Sequence, residues 1–228
     1  MPGPDPFEPV PDARPDDRPW PAMTWPPAAD ARLTGPLVEL APLTADQDVA
    51  DLFHVLDEDA VWEHLAGRAP NAPEYARMWR QRWAEGRIPW VVRLRRPLAG
   101  LEAGSVIGTS SFLNVSAPDS RLEIGSTAYN PVLWGSGVNT DAKLLLLTHA
   151  FDVLGAGRVQ FMTDVRNKRS QMAIAALGAR YEGTLRRYFK RADGTVRDSV
   201  LFSVVAEEWP TVREGLEARL RTRLDSIS

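Results

Sequence analysis

Short runs of apolar residues between turn-forming residues indicate the first strands. An alternating segment lies within residues 31–44, and a second apolar run covers residues 90–94. Residues 95–105 are rich in proline and glycine and predict a hairpin connection, which is followed by strands over 106–114 and 121–129. Three strands in succession favour an antiparallel meander.

Helices are indicated by apolar residues at spacings of three and four. A first helix is predicted from Ala45 towards Asp57, with Thr44 as its N-cap. A second is predicted over residues 73–85, where the large apolar side chains are Tyr75, Met78, Trp79 and Trp83. We interpret these side chains as core residues rather than as a ligand cage.

The second half of the chain alternates helices and strands. A proline-free segment over residues 136–154, rich in leucine and closed by Gly155, predicts the longest helix. The remaining predicted elements are a strand at 158–163, a helix at 168–177, strands at 181–191 and 196–205, and a helix from 207 to about 225. This order predicts an α/β (mixed α+β) fold, with a mostly antiparallel twisted sheet of about seven strands and helices on both faces.

Composition narrows the function classes. The chain has 228 residues, no cysteine and three histidines, so it has no disulfides or thiolate chemistry and we expect no metal site. No apolar stretch comes near the roughly 20 residues that span a bilayer, and the first residues lack a basic region leading into an apolar one. We therefore expect a soluble, cytoplasmic protein without a membrane partner.

The first thirty residues differ in composition from the rest. They hold ten of the 19 prolines and a net charge of −4, which predicts an extended acidic segment, residues 1–30, before a single folded domain, residues 31–228. Trp20, Met23 and Trp25 are expected to dock on that domain, either as the packed end of a mobile arm or as part of a lid.

Positive charge is concentrated in one later segment. Residues 158–198 contain ten basic and four acidic residues. This excess is too local for a general nucleic-acid binder and suits a compact polyanionic ligand.

A glycine turn before the longest helix is the main chemical signal. Gly135 and Gly137 precede the predicted helix start, where free backbone N–H groups and the helix dipole bind phosphate. Thr140 occupies the position of the third glycine of a dinucleotide fingerprint, and no phosphate-loop motif occurs. An ordinary glycine-rich turn is the alternative interpretation.

The polar junction over residues 163–170 is the second signal. Asn167 is expected either to cap the following helix or to reach a ligand amide, and Ser170 lies in the first turn of that helix.

Together these signals resemble the GNAT superfamily of acyl-CoA-dependent N-acyltransferases, and within it the RimJ/RimL-type branch of ribosomal-protein-alanine N-acetyltransferases. The resemblance covers roughly residues 34–215. The matching motifs are Glu123-Ile-Gly125, Pro131-x-x-Trp-Gly-Ser-Gly137, Asp164-x-x-Asn167-x-x-Ser170, Leu177-Gly-Ala179, Asp193-Gly-x-x-Arg-Asp198, Phe202-Ser203 and Glu208-Trp209.

The resemblance implies how coenzyme A is bound. The fourth and fifth predicted strands would splay apart, pantetheine would lie between them, and the pyrophosphate would contact the helix start. The implied cofactor-binding residues are Thr127, Ala128, Tyr129, Trp134, Gly135, Ser136, Gly137, Val138, Asn139, Thr140, Asn167 and Ser170. Arg166, Lys168 or Arg169 would screen the phosphates, or would form only a solvated helix start.

Catalysis requires a base, because a protonated amine cannot attack a thioester. Glu123 matches the glutamate of the branch; the alternative is a strand residue that faces water. Asp198 is the second candidate, either as the base or as a partner for the substrate ammonium. Ser170 would protonate the thiolate, because Ile174 stands where many members have a tyrosine; similarly, Val132 replaces a frequent Gln or Arg.

The implied activity is transfer of an acyl group, most simply acetyl, from acyl-CoA to a primary amine. Acceptors compatible with the sequence are a protein N-terminus, an amino-acid derivative or an antibiotic-like small molecule. A larger acyl donor and a non-catalytic acyl-CoA sensor are the alternatives. We expect acyl-CoA and the amine as partners, no nucleic acid, and a monomer or homodimer.

Overall fold

The computed structural model describes residues 8–12, 20, 22–44, 46–65 and 68–226. Ala45, the predicted start of the first helix, and much of the acidic extension lie outside the described residues. The mixed α/β fold class is confirmed.

Eight strands form a single sheet. They are β1 (Leu33–Thr34), β2 (Val38–Pro42), β3 (Ile88–Leu94), β4 (Val106–Ser116), β5 (Arg121–Tyr129), β6 (Arg158–Asp164), β7 (Arg180–Lys190) and β8 (Val196–Val205). The first predicted strand is divided in two by a turn at Gly35, and the Asp141 carboxylate accepts hydrogen bonds from the Leu37 and Val38 amides beyond that turn. Because of this division, the sheet has eight strands and not the roughly seven that the sequence predicts.

The strand order is β1-β2-β3-β4-β5-β6-β8-β7, and every neighbouring pair is antiparallel except β5 and β6. That parallel pair is short. It pairs residues 121–123 with 158–160 and then ends, although both strands continue. The expected splay between the two strands is therefore present, and it leaves backbone groups on the facing edges without a ladder partner.

The helices are α1 (Asp46–Val55), α2 (Asp59–Trp62), α3 (Ala72–Ala84), α4 (Val138–Thr148), α5 (Lys168–Ala175) and α6 (Trp209–Asp225). The predicted long helix is not uniformly α-helical, because a π-helical turn over His149–Val153 follows α4. At this turn the His149 ring packs against Trp90 and Phe112. Helix α2 was not predicted because four residues are too few for a periodic pattern.

Two hydrophobic cores hold the helices on opposite faces of the sheet. One core joins α4, α5 and α6 to the strands, and we call this side the α4 face. The other core joins α1 and α3 to the opposite side, the α1 face. In the extension, Met23 is buried and the Trp25 ring lies 6.3 Å from Phe112, so this segment packs on the α4-face core.

Candidate active site

A cavity of about 740 Å³ passes between β5 and β6 beyond the point where their pairing ends. On the α1 face it is lined by Val61 and Leu65, and on the α4 face by Arg219 and Arg223. The cavity therefore opens towards both faces of the sheet. Two substrates can meet inside it from opposite sides.

The start of α4 forms one wall of the cavity. Gly135 and Gly137 have φ angles of 81° and 96°, which favour glycine. The Asp141 amide is bonded to the Gly137 carbonyl at 3.0 Å, so the amides of residues 138–140 have no intrahelical acceptor, and of these only the Val138 amide has another acceptor, Ser136 Oγ at 3.4 Å. This wall can bind an anion through its backbone.

The protein surroundings of the two glycines differ. A Cβ at Gly135 would contact nothing within 4 Å, and one at Gly137 would lie 3.2 Å from Arg223 Cβ and 3.3 Å from Leu37 Cδ1. Both glycines line the cavity, and only the one at position 137 is crowded by protein atoms. They are needed for the backbone turn and, at Gly137, for packing against α6.

Three arginines add positive charge to this end of the cavity. Arg169 lies at the start of α5, and Arg219 and Arg223 lie on α6. The Arg169 guanidinium stacks on the Trp134 ring at 3.4 Å, and the Trp134 indole donates to the Tyr129 carbonyl at 3.3 Å. A polyanionic group at the α4 start would therefore be flanked by cations.

The structure separates the predicted phosphate-screening residues. Arg169 lines the cavity, whereas Arg166 and Lys168 do not and are exposed. Sequence reasoning missed Arg219 and Arg223, because basic residues on a charged terminal helix indicate only a solvated surface.

Ten of the twelve predicted cofactor-binding residues line the cavity. They are Thr127, Ala128, Tyr129, Trp134, Gly135, Gly137, Asn139, Thr140, Asn167 and Ser170. The side chains of the other two are used within the protein: Ser136 Oγ donates to the Leu133 carbonyl at 2.6 Å, and Val138 is buried. Their amides are used as well, since the Ser136 amide donates to the Leu133 carbonyl at 3.1 Å and the Val138 amide to Ser136 Oγ at 3.4 Å.

Asn167 and Ser170 lie together on the opposite wall. The Asn167 side chain accepts a hydrogen bond from the Ser170 amide at 2.9 Å and so caps α5. The Ser170 side chain remains at the cavity wall. Asn167 is therefore a helix cap that also lines the cavity, and its contact with a ligand amide stays a prediction.

Glu123 is buried beside the cavity rather than in its lining. Its Oε2 accepts hydrogen bonds from Asn114 Nδ2 at 2.9 Å and Gln160 Nε2 at 3.0 Å. A Cβ at Gly125, which does line the cavity, would lie 3.0 Å from Oε1 of Glu123. Because Gly125 has no side chain, Oε1 of Glu123 is not crowded at this position.

Asp198 does not reach the cavity. Its Oδ1 accepts a hydrogen bond from the Arg187 amide at 2.7 Å, where β7 is irregular and Arg187 has a positive φ of 53°. The carboxylate stabilises this irregular part of the sheet edge. The structure thus brings Ser170 to the cavity and Glu123 beside it, but not Asp198.

Lys143 is a buried cavity residue that sequence reasoning missed. Its Nζ donates to Ser110 Oγ at 2.9 Å and to Thr127 Oγ1 at 2.6 Å. Burial lowers the pKa of Lys143 to about 7. A lysine inside a leucine-rich helix was visible in the sequence, but the face of the helix that it occupies was not.

Within the described part of the chain, no group of three or more His, Cys, Asp or Glu side chains is arranged to hold a metal ion. In the same residues, none of the helices is long and apolar enough to cross a membrane.

Comparison with known proteins agrees with this geometry. The family model for the acetyltransferase (GNAT) domain matches residues 38–180. YoaA of Bacillus subtilis strain 168, an uncharacterised N-acetyltransferase, is 26% identical over 165 residues, which are 70% of this chain and 89% of YoaA.

Solved structures give similar matches. A candidate acetyltransferase from T. thermophilus is 38% identical with a TM-score of 0.74, over 86% of this chain and 100% of that chain. RimJ of Mycobacterium smegmatis, solved in complex with CoA-disulfide, is 26% identical with a TM-score of 0.67, over 81% of this chain and 93% of RimJ.

Proposed function

The chain belongs to the GNAT acetyltransferase family, within its RimJ/RimL-like branch, and from that premise we propose that it transfers the acetyl group of acetyl-CoA to a primary amine by direct attack. The observation that carries this proposal is the cavity between β5 and β6, which opens to both faces of the sheet. One face would admit the acyl donor and the other the amine.

The α4 face fits coenzyme A. The amides of Asn139 and Thr140 at the α4 start would hold the pyrophosphate. The side chains of Arg169, Arg219 and Arg223 would offset the charge of the phosphates. The unpaired edge of β5 over residues 127–129 would bond the pantetheine amides. When bound, acetyl-CoA supplies an activated thioester carbonyl.

Proton transfer in this proposal uses residues on both sides of β5. Glu123 would accept the ammonium proton of the substrate, directly through its uncrowded Oε1 or through one water. A backbone N–H near Tyr129 would stabilise the oxyanion. Ser170 would donate a proton to the leaving thiolate, although a thiol with a pKa near 8.5 leaves readily without help.

The test is release of free CoA. Incubation with acetyl-CoA and a pool of primary amines, followed by a thiol reagent, should yield CoA well above the hydrolysis background. Peptide N-termini belong in the pool because M. smegmatis RimJ is a structural relative. The control is Thr140→Asp, which places a carboxylate among the amides proposed to bind pyrophosphate and should abolish the release.

The same measurement tests the sensor alternative. A protein that binds CoA, as judged by a rise in melting temperature, but releases none with any amine would be a binding module. Replacing acetyl-CoA by longer acyl-CoA donors in parallel tests the preference for acetyl.

A further inference from the structure

Arg197 has an unusual environment at the α1-face end of the cavity. It lies on β8, lines the cavity and is only partly exposed. Its Nε atom is buried and has no hydrogen-bond partner, and the guanidinium is in no ion pair within the described residues. A buried donor without an acceptor costs free energy, so this one is a candidate for a partner that arrives with a ligand.

Neighbouring Arg191 shows the contrast. It binds Asp164 in a bidentate pair, with its Nε 2.6 Å from Oδ2 and its Nη2 2.8 Å from Oδ1. Asp164 also accepts the Arg166 amide at 2.9 Å. Both oxygens of the Asp164 carboxylate are therefore already hydrogen-bonded, and neither is bonded to Arg197.

The other nearby acid is Glu123. It is close enough for electrostatic interaction with Arg197, but both of its observed hydrogen bonds come from amide side chains. Burial lowers the pKa of Arg197, against the opposing effects of Asp164 and Glu123. The Cζ atom of Arg197 lies 5.3 Å from the centre of the Phe189 ring. Its donors thus remain available to a ligand.

The position of Arg197 places it on the acceptor side. Side chains alternate along a strand, so Arg197 and Ser199 point to the same face, and Ser199 is the register partner of Asp164. Asp164, Val61 and His64 line this end of the same cavity. The α4 start and the arginines assigned to the phosphates belong to the opposite face.

Resting on the proposed function, we propose that the acceptor is a small amine that also bears a carboxylate, and that Arg197 binds this carboxylate while the amine points towards the β5–β6 gap. A guanidinium offers two parallel N–H donors that match a carboxylate. One guanidinium with Glu123 nearby suits a monoanion, because that acid would repel a phosphate dianion more strongly than a carboxylate. Arg197 is therefore a specificity-determining residue.

The experiment compares pairs of amines that are identical except that one bears a charged carboxylate and the other a neutral carboxamide. Wild-type protein is assayed with acetyl-CoA and with amino acids of increasing amine-to-carboxylate distance, each beside its carboxamide. For at least one pair, kcat/KM should be about tenfold to hundredfold higher for the free acid, mainly through KM. A matching phosphonate should be the poorer substrate, and a peptide amide should be poor as well.

Variants then assign the preference to Arg197. Arg197→Gln should reduce the acid-to-amide ratio to about one, and Arg197→Lys should retain part of it. Arg186→Gln, which changes an exposed arginine of β7, is the matched control and should keep the wild-type ratio. The rise in melting temperature with CoA is measured for every variant and should not change, which also reports folding.

The outcomes are distinct for the two proposals. Equal kcat/KM for acids and amides in the wild type, or a preference for the phosphonate or the peptide amide, overturns the carboxylate proposal and leaves acetyl transfer intact. If Arg197→Gln lowers kcat/KM equally for acids and amides, the carboxylate proposal is overturned too, because the role of the residue would then be structural. Absence of CoA release with every amine overturns both.

Discussion

The side-chain nitrogen of Lys143 donates a hydrogen bond to Thr127 Oγ1 at 2.6 Å, and so ties α4 to β5 beside the β5–β6 gap. Ser110 Oγ receives a second hydrogen bond from the same nitrogen at 2.9 Å. Neither partner is charged, and the pKa of Lys143 is lowered to about 7 by burial. The burial of this amine makes stability depend on pH in a predictable direction.

Lys143→Met should remove that dependence. The folded-state pKa of about 7 lies below the unfolded value of 10.5, so between these pH values the unfolded chain binds one more proton, and wild-type stability rises with pH. Burial of the charged Lys143 side chain thus lowers the free energy of unfolding by its full amount below pH 7, and this loss becomes smaller towards pH 10. The methionine variant should gain most over wild type near pH 6, and this gain should shrink by pH 9.5.

Melting temperatures from pH 6 to 9.5 measure this difference. Lys168→Met, which removes an exposed lysine from the start of α5, is the control and should give a difference from wild type that is independent of pH. A constant difference for Lys143→Met as well would contradict the buried, neutral lysine.

Thr140→Asp should weaken CoA binding without loss of fold. Thr140 is the third residue of α4, where a carboxylate stabilises the helix through its dipole but repels a pyrophosphate held by the same amides. The dissociation constant for CoA should rise at least about tenfold, or about 1.4 kcal/mol. Thr140→Asn, similar in size and neutral, should bind CoA within a few-fold of wild type.

The rise in melting temperature with added CoA measures the CoA affinity of both Thr140 variants. If millimolar CoA leaves the melting curve of the wild type unchanged, the assigned phosphate site is wrong. Gly137→Asp would be a poorer test than Thr140→Asp, because its Cβ would crowd Arg223 and Leu37 at a residue with positive φ.

Glu123→Gln should lower kcat/KM for the amine by about 100-fold and leave CoA affinity close to wild type. Glutamine keeps the shape of the side chain but cannot accept the ammonium proton. Asp198→Asn tests the other candidate base. We expect only a small effect on kcat/KM, because Asp198 binds the Arg187 amide away from the cavity. A large loss of activity in Asp198→Asn alone, with an unchanged melting temperature, would reverse the assignment.

The end of the acidic extension should contribute to stability. Deleting residues 1–18 is expected to leave the melting temperature unchanged, whereas deletion through Trp25 removes Met23 and Trp25 from the core. Met23→Ala alone should cost about 2–4 kcal/mol of unfolding free energy. Denaturant unfolding of these three proteins checks the prediction, and equal midpoints for both deletions would refute the docking.

Local features of the sequence predicted most of the fold. Strand alternation gave β3, β4 and β5 within a few residues, and Gly155 gave the end of the helical segment that begins with α4, because these signals depend on backbone conformation and on neighbours close in the chain. The turn with Gly135 and Gly137 identified the start of α4 for the same reason. The sequence could not predict the division of the first strand, which depends on Asp141, a residue more than a hundred positions away.

The tertiary structure alone decided which polar residues share the cavity. Arg219 and Arg223 reach it only because α6 packs beside α4, and Lys143 only because its helix turns that face towards β5. Arg197 and Asp198 are adjacent in the same motif, yet strand alternation sends their side chains to opposite sides, and sheet register determines which of the two meets the cavity. Contacts between segments distant in sequence set these positions, so a local pattern cannot encode them.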